Sequence, residues 1–556
     1  MKRMKIKSII LTIVLLASFS RCSDFIEEEN KSNIEADPFY KTKDGYESLV
    51  NSTYSTLREV YDLPWVFEAG TDMYVQGRSD NQPESLSEYR NLTPADVNVT
   101  TFYASVYRAI QRCNTALYYN DLTAPTDLLP VRKGEIQFLR AFYYFLLVQQ
   151  FGGVAIVTEN FDAPVLEFQR NTPEEVYAFI ISEMEQALAA VPETNTQFGR
   201  VIKRAVQHYL AKVHLTRGYT SFAVGTDFSK AATYADAAIA GQALSISFKD
   251  LFWPGKDKNA EVLFSVQYDK ASILNAQSDG SNQNAFFGSY LGGEGAAKGY
   301  PYKQYTLCAT KYLFDLFDQN DVRFENTFML TFYDRYYDYF DKNASLATLN
   351  IAIYFAPSWE TDEATWKAVD PARRNAAKFV PYSAAWEANT NSADRATPTV
   401  KKFEDPTSVY TANVNGNSTR DIYLARLGET YLLAAEAYLK AGDASTAMAR
   451  INEVRKRAER TAGTLVLTDP ADVTIDFILD ERARELVGEY HRWMDLKRTG
   501  KLVERNQLFN TPLRTKYFNN GIDAFAGSGG AQKILRPIPQ RALDLNQAEI
   551  EQNPGY

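Results

Sequence analysis

DIYLARLGETYLLAAEAYLKAGDASTAMARINEVRKRAER, residues 421–460, carries two helix-length apolar stripes joined by one short turn. Leu424, Leu427, Tyr431, Ala434 and Tyr438 recur at steps of three or four, the spacing of a helix buried along one face. Gly442 permits a left-handed stop, and Asp443 is placed to cap the next helix. Ala447, Ile451, Val454 and Ala458 repeat the spacing. Small residues at Ala434, Ala435 and Ala447 allow the two helices to pack closely. Such a hairpin is scaffolding and does no chemistry, so function must come from what it carries.

Working outward, the first half of the chain shows the same helical rhythm. Thr42 caps a helix with Tyr46, Leu49, Thr53 and Leu57 on one face. Phe102, Val106, Ala109, Cys113 and Ala116 mark a second. Ile136, Leu139, Tyr143, Leu146 and Gln150 mark a third, ended by Gly152-Gly153, after which residues 154–157 read as a short extended run. Thr172-Pro173-Glu174-Glu175 combines a cap, a first-turn proline and a capping-box glutamate, and Pro192 closes that helix. Residues 201–220 and 229–239 add two more. The segment from Tyr438 to Ala447 resembles one tetratricopeptide unit, and the paired helices look like a stack of such hairpins without a strict repeat.

The middle differs. Residues 277–299 are rich in Gly, Ser, Asn and Ala, and residues 331–417 read as loop-dominated, with Trp359, Trp366 and Trp386 among polar residues. Loops of that length are kept for a use. Helices return at Ile422 and over residues 472–498, and the prolines at 537, 539 and 554 suit an extended strap, residues 535–556. Trp253, between an apolar pair and Pro254, belongs to the core.

Composition narrows the function. The 556 residues carry a net charge of −9 without a basic stripe, which excludes a nucleic-acid surface. Aromatic residues make up 13% of the chain, 35 Tyr and 33 Phe among them: large rings for a core, or exposed rings for binding. Lys2, Arg3, Lys5 and Lys7 precede an apolar run over residues 9–19 and then Cys22, the pattern of an export signal with an acylated cysteine. Arg21 departs from the usual small residue, and the competing reading is a plain secretory peptide. Glu27-Glu28-Glu29 begins an acidic tether, residues 23–36. Cys113, on an apolar stripe, reads as a buried free thiol.

The tests for chemistry are negative. His208 and His214 stand six residues apart, unlike the i, i+4 pair of a zinc helix, and no metal site is expected. Nucleotide-binding and nucleophile-elbow motifs are absent. Glu429 and Glu436 share a helix face, roughly 10 Å apart along the axis, near the 6.5–9.5 Å or so of an inverting glycosidase pair. They lie on the helix most committed to packing, with Arg426 three residues before Glu429, so structural ion pairing is the expectation. Arg492, Asp495 and Arg498 suit a local salt-bridge ladder, and Trp493 an anchor between helices.

Five segments, in order, carry a resemblance: EIQFLRAFYYF (135–145) with FGGV (151–154); Arg426, Glu429 and Glu436; DERAREL (480–486); HRWMDLKR (491–498); and PIP (537–539) with Asn546 and the closing QNPGY (552–556). Together they resemble the SusD/RagB family of surface glycan-binding lipoproteins over nearly the whole chain. The resemblance implies a mostly α fold, a tetratricopeptide-like helical hairpin scaffold with a loop-rich, mixed ligand-binding insertion. It divides the chain into a signal peptide (1–22), the tether (23–36), an N-terminal helical region (37–270) and a C-terminal region (271–556). The latter holds the ligand segment 277–417, the hairpin 421–460 and the strap. It further implies a non-catalytic protein, lipid-anchored at Cys22 to the outer membrane and facing outward. Such a protein captures oligosaccharide on an aromatic shelf and delivers it to a SusC-type TonB-dependent transporter. Peptide capture by the same architecture, and glycoside hydrolysis, are the alternatives.

Sugars are held by flat rings beneath their C–H faces and by polar groups aimed at their hydroxyls. Asp72, Tyr74 and Arg78 combine these groups in one turn region. Family members commonly use that region together with mid-chain loops, which adds Tyr290, Tyr300, Trp359, Trp366 and Trp386, with Arg373 or Arg374 as a second hydrogen-bonding fork. Packing in the core is the competing role for each ring.

Overall fold

A computed structural model of the chain describes residues 36–77, 84–161, 163–269, 280–287, 306–334, 348–387, 397–406 and 418–556. Cys22, the tether, Arg78, Tyr290 and Tyr300 lie outside the described residues.

The helical expectation holds. In chain order, α1 (Lys43–Val60), α2 (Val97–Asn120), α3 (Leu129–Phe151), α4 (Pro173–Ala190), α5 (Lys203–Arg217) and α6 (Asp227–Ile239) form a continuous stack, each packed on the next or on the one after it. Their ends follow the sequence signals. Thr42 accepts from the Gly45 amide at 3.1 Å, Thr172 and Glu175 close a capping box, and Gly152 leaves α3 with φ of 72°. Residues 154–157 form no strand; Tyr144 and Asn171 side chains bond their amides instead.

A short α7 (Glu363–Val369) lies in the middle segment; α8 (Leu427–Lys440) and α9 (Ala444–Ala458) form the hairpin that opened the sequence reading. Gly442, at φ 92°, turns the chain, and the Asp443 side chain accepts from the Thr446 amide at 2.9 Å. α8 packs on α6, so the hairpin continues the N-terminal stack. Ala211, Ala235, Ala434, Ala435 and Ala447 sit in their shared core, which lets the backbones approach.

Two sequence expectations are corrected here. Residues Ile422–Arg426, expected to start the helix, form β9, antiparallel to β2 (Val262–Val266), and Leu424 lies on that strand. The segment alternates too little for its period to show, and every residue of both strands is buried, so their pairing decides the conformation. The stretch 472–498 is two helices, α10 (Ile475–Glu485) and α11 (Arg492–Arg498), separated by Gly488 at φ 71° and Tyr490 at φ 64°. α12 (Leu502–Phe509) follows, and the strap is extended except for α13 (Gln540–Leu545).

The middle segment is more regular than a loop. β5 (Thr331–Tyr333), β6 (Ile351–Ala356) and β7 (Lys378–Pro381) form one sheet, with β5–β6 antiparallel and β6–β7 parallel. Phe332, Ile353 and Phe355 face the main core, while Tyr333, Ile351, Trp366 and Ala377 form a smaller cluster of their own. Trp253 packs partly buried against the main core, as expected.

Candidate ligand-binding face

Four of the expected ligand contacts are interior. Asp72 is fully buried; Arg492 donates to it through Nε and Nη2 at 2.7 and 2.6 Å, and Arg505 through Nε at 2.8 Å. Burial alone would raise its pKa, and the two guanidiniums outweigh that, holding the carboxyl below its ordinary range. Asp72 therefore ties the N-terminal half to α11 and α12. Tyr74 is buried on β1 (Tyr74–Gln76), where it pairs with Ala309 of β3 (Leu307–Ala309) and its ring lies 5.4 Å from Phe287. Trp386 donates to the Pro381 carbonyl at 3.1 Å and meets Phe314, Phe355 and Tyr382 edge-on. Trp366 stacks on Tyr354 at 4.5 Å, with the Arg374 guanidinium over its ring at 4.7 Å. A large ring gains more from a packed interior than from water, and each of these three rings has aromatic neighbours to pack against.

Trp359 stands apart. It is 38% exposed, on the turn after β6, where the Glu360 amide donates to the Pro357 carbonyl at 2.9 Å. Beneath it lies Phe324, edge-to-face at 5.1 Å and itself locked among Phe317 and Phe328, so the indole rests on a rigid floor. Polar groups gather beside it. Tyr354 donates to Glu360; burial, then that carboxylate, raises the phenol pKa, and the charges of Arg374 and Glu325 also reach it. Arg374 donates to the Trp366 carbonyl at 2.8 Å, and Arg373 to the Leu349 carbonyl at 2.7 Å, while keeping Asp370 within 3.3 Å. The arrangement offers one flat apolar surface, with the Glu360 carboxylate on the next residue and the Tyr354 phenol bonded to it. The sequence reading missed Tyr354 and Glu360. The alternation in IAIYFA was the available signal, since it puts Tyr354 on the face opposite Ile353 and Phe355.

The acid pair on α8 does pair with cations. Glu429 accepts from Lys212 at 2.7 Å and Arg482 at 3.1 Å, with His208 at 3.2 Å and His491 at 3.5 Å. Glu436 takes Arg498 at 2.7 Å and Tyr219 at 2.8 Å. Arg426 does not serve Glu429; it forks to Glu261, Glu485 and Glu489. The expected ladder is also rearranged: Asp495 bridges Arg482 and Arg498, while Arg492 goes to Asp72. Trp493 is a buried anchor, donating to Tyr89 at 3.1 Å with Arg536 over its ring. Cys113 is a buried free thiol, and burial pushes its pKa up to about 12.

The profile described as the SusD family matches residues 260–556, and a second, described as "Starch-binding associating with outer membrane", matches residues 24–215. The chain belongs to the SusD family. Among SusD relatives, SusD-like protein P2 of Formosa agariphila is 26% identical over the full length of both chains. The starch-binding protein SusD of Bacteroides thetaiotaomicron is 25% identical over 92% of this chain and 87% of its own. A laminarin-binding SusD-like protein superposes with a TM-score of 0.68 at 24% identity, covering 93% of this chain and all of its own. Surface glycan-binding protein A of Bacteroides thetaiotaomicron, solved with laminarihexaose, gives 0.66 at 18% identity, with the same two coverages. The SusD fold, helical hairpins with a short-stranded insertion, is thus the fold of this chain.

Proposed function

We propose that this SusD-family protein is a non-catalytic receptor of the cell surface. Anchored through Cys22 to the outer membrane, it captures oligosaccharide and delivers it to a SusC-type TonB-dependent transporter. The family match carries the reading, and the glycan ligands named for relatives support the ligand class. Among the described residues, no helix is long and apolar enough to cross a membrane; attachment through Cys22 rests on the export-signal pattern of residues 2–22. The exposed Trp359 indole is the shelf, with Glu360, Arg373 and Arg374 toward the hydroxyls; Arg78, Tyr290 and Tyr300 are assigned to the same ligand. Sugar stacking on an indole is worth on the order of 1 kcal/mol beyond area burial.

Isothermal titration of the mature protein against neutral oligosaccharides and peptides tests the reading. Trp359→Ala is expected to weaken the tightest saccharide about tenfold or more, equivalent to about 1.4 kcal/mol, while the fold is retained. A peptide bound while every saccharide is ignored would overturn it in favour of peptide capture.

A further inference from the structure

Away from Trp359, a hollow of about 330 Å³ opens where one face of α1 meets the loop before α5 and the end of β2. Asn51, Tyr54 and Arg58 project into it at helical steps of three and four, and Gln197, Phe198 and Arg200 close it from the loop. Its size is at the lower end of the 300–1,000 Å³ or so of small-molecule sites, enough for a short saccharide segment rather than a long chain.

The groups lining it are held in place. Arg200 lies over the Tyr54 ring at 5.2 Å, donates to Asn51 Oδ1 at 2.7 Å and Gln197 Oε1 at 3.1 Å, and is braced from behind by Glu135 at 3.1 Å and Glu47 at 3.4 Å. Arg58 lies over Tyr268 at 5.1 Å and uses Nε to hold the Gln267 carbonyl at 2.8 Å. Gln267 itself lines the hollow, and its buried Nε2 donates to nothing among the described residues. Gly199, at φ 90°, brings the loop down on that amide; a Cβ there would lie 2.2 Å from it. No Asp or Glu is among the lining residues, although the chain carries a net charge of −9. Two guanidiniums, three side-chain amides and two rings are thus turned to one space. That set complements an anionic sugar: rings for C–H faces, amides for hydroxyls, guanidinium for an oxyanion.

We propose that this hollow is a separate saccharide subsite that takes an anionic pyranose unit, a uronate or a sulfated sugar. The choice of a saccharide rests on the glycan reading above; the charge preference does not.

The test uses the mature protein with three probes: tetragalacturonate, a κ-carrageenan tetrasaccharide and maltotetraose. Hydrogen exchange under at least one anionic probe is expected to slow in residues 50–58 and 197–200. Gln197→Glu puts a carboxylate on the exposed rim without touching the core. It should weaken that probe about tenfold by titration and leave maltotetraose at the Trp359 turn unchanged. An anionic probe that binds without protecting these residues, or equally well to Gln197→Glu, overturns the proposal. Binding of maltotetraose but of neither anionic probe overturns it alone. Binding of none of the three overturns the glycan reading with it.

Discussion

At the scale of single residues, two buried arginines show opposite ways of placing a charge inside this protein. Arg426 Nη1 reaches Glu261 at 3.0 Å and Glu485 at 2.6 Å, Nε reaches Glu489 at 2.6 Å, and Nη2 also caps the Glu485 carbonyl at 2.9 Å. Gly428 leaves room for this fork, since a Cβ there would lie 2.4 Å from Arg426 Nη1. Arg536 is equally buried but meets rings: Trp493 at 4.5 Å and Tyr89 at 5.5 Å. Removing one partner of a buried ion pair strands the other, at a cost of about 3–5 kcal/mol. Arg426→Met should therefore destabilise by that amount in urea titration, whereas Arg536→Met, which strands no carboxylate, should stay within about 1 kcal/mol. Equal losses in the two variants would refute the distinction. The sequence identified Arg426 as an ion-pairing residue but assigned it Glu429. The i, i+3 geometry behind that choice requires both residues on one helix, and Arg426 closes a strand.

At the scale of elements, α8 and α9 are the part most legible in sequence, because a three-residue link and two apolar stripes leave them one way to pack. Ile451 is fully buried in that seam beside Ala434 and Ala435. Ile451→Ala should cost about 2–5 kcal/mol by denaturant unfolding, with saccharide binding unaltered at temperatures where the variant remains folded. A loss below 1 kcal/mol would mean the hairpin is not part of the cooperative core. The pairing of β6 with β7 was illegible for the opposite reason. Their hydrogen-bond partners are short strands separated in sequence, and parallel pairing leaves no turn signature to read. Trp366 and Trp386 were assigned to ligand because the sheet that buries them was not visible.

At the scale of the whole molecule, residues 480–505 act as the tie between regions. Glu481 and Glu485 hold Arg323, Glu489 holds Lys402, Arg482 holds Glu429, Arg498 holds Glu436, and Arg492 and Arg505 hold Asp72. Their protonation couples the assembly to pH. Burial would raise Glu481 and Asp495, but the surrounding cations outweigh it and bring both to about 2. Their contribution is present above the unfolded values near 4 and is lost as pH falls toward 2. Burial lowers His491 to about 3, against attraction from Glu429, so the folded protein keeps it neutral. The unfolded chain binds that proton from about pH 6.5 downward, which adds a loss of stability over pH 6.5 to 3. Between pH 7 and 5 this loss is opposed by Glu68 and Asp421, which burial raises to about 8 and about 6, so the urea midpoint should fall most steeply below pH 4. His491→Gln should lessen the fall over pH 6.5 to 3 relative to the parent protein; identical pH profiles for the two would show that His491 contributes nothing to it.

The sequence by itself determined the helices, their caps, the hairpin and the family, because helical contacts are local and repeat every three or four residues. Tertiary structure alone decided which of the four described candidate rings, Tyr74, Trp359, Trp366 and Trp386, are core and which, Trp359, faces solvent. It also decided which carboxylate each arginine holds and where α1, a distant loop and β2 enclose a hollow lined by Arg58 and Arg200. Those outcomes depend on contacts between residues from about a dozen to several hundred positions apart, for which a single chain shows no period.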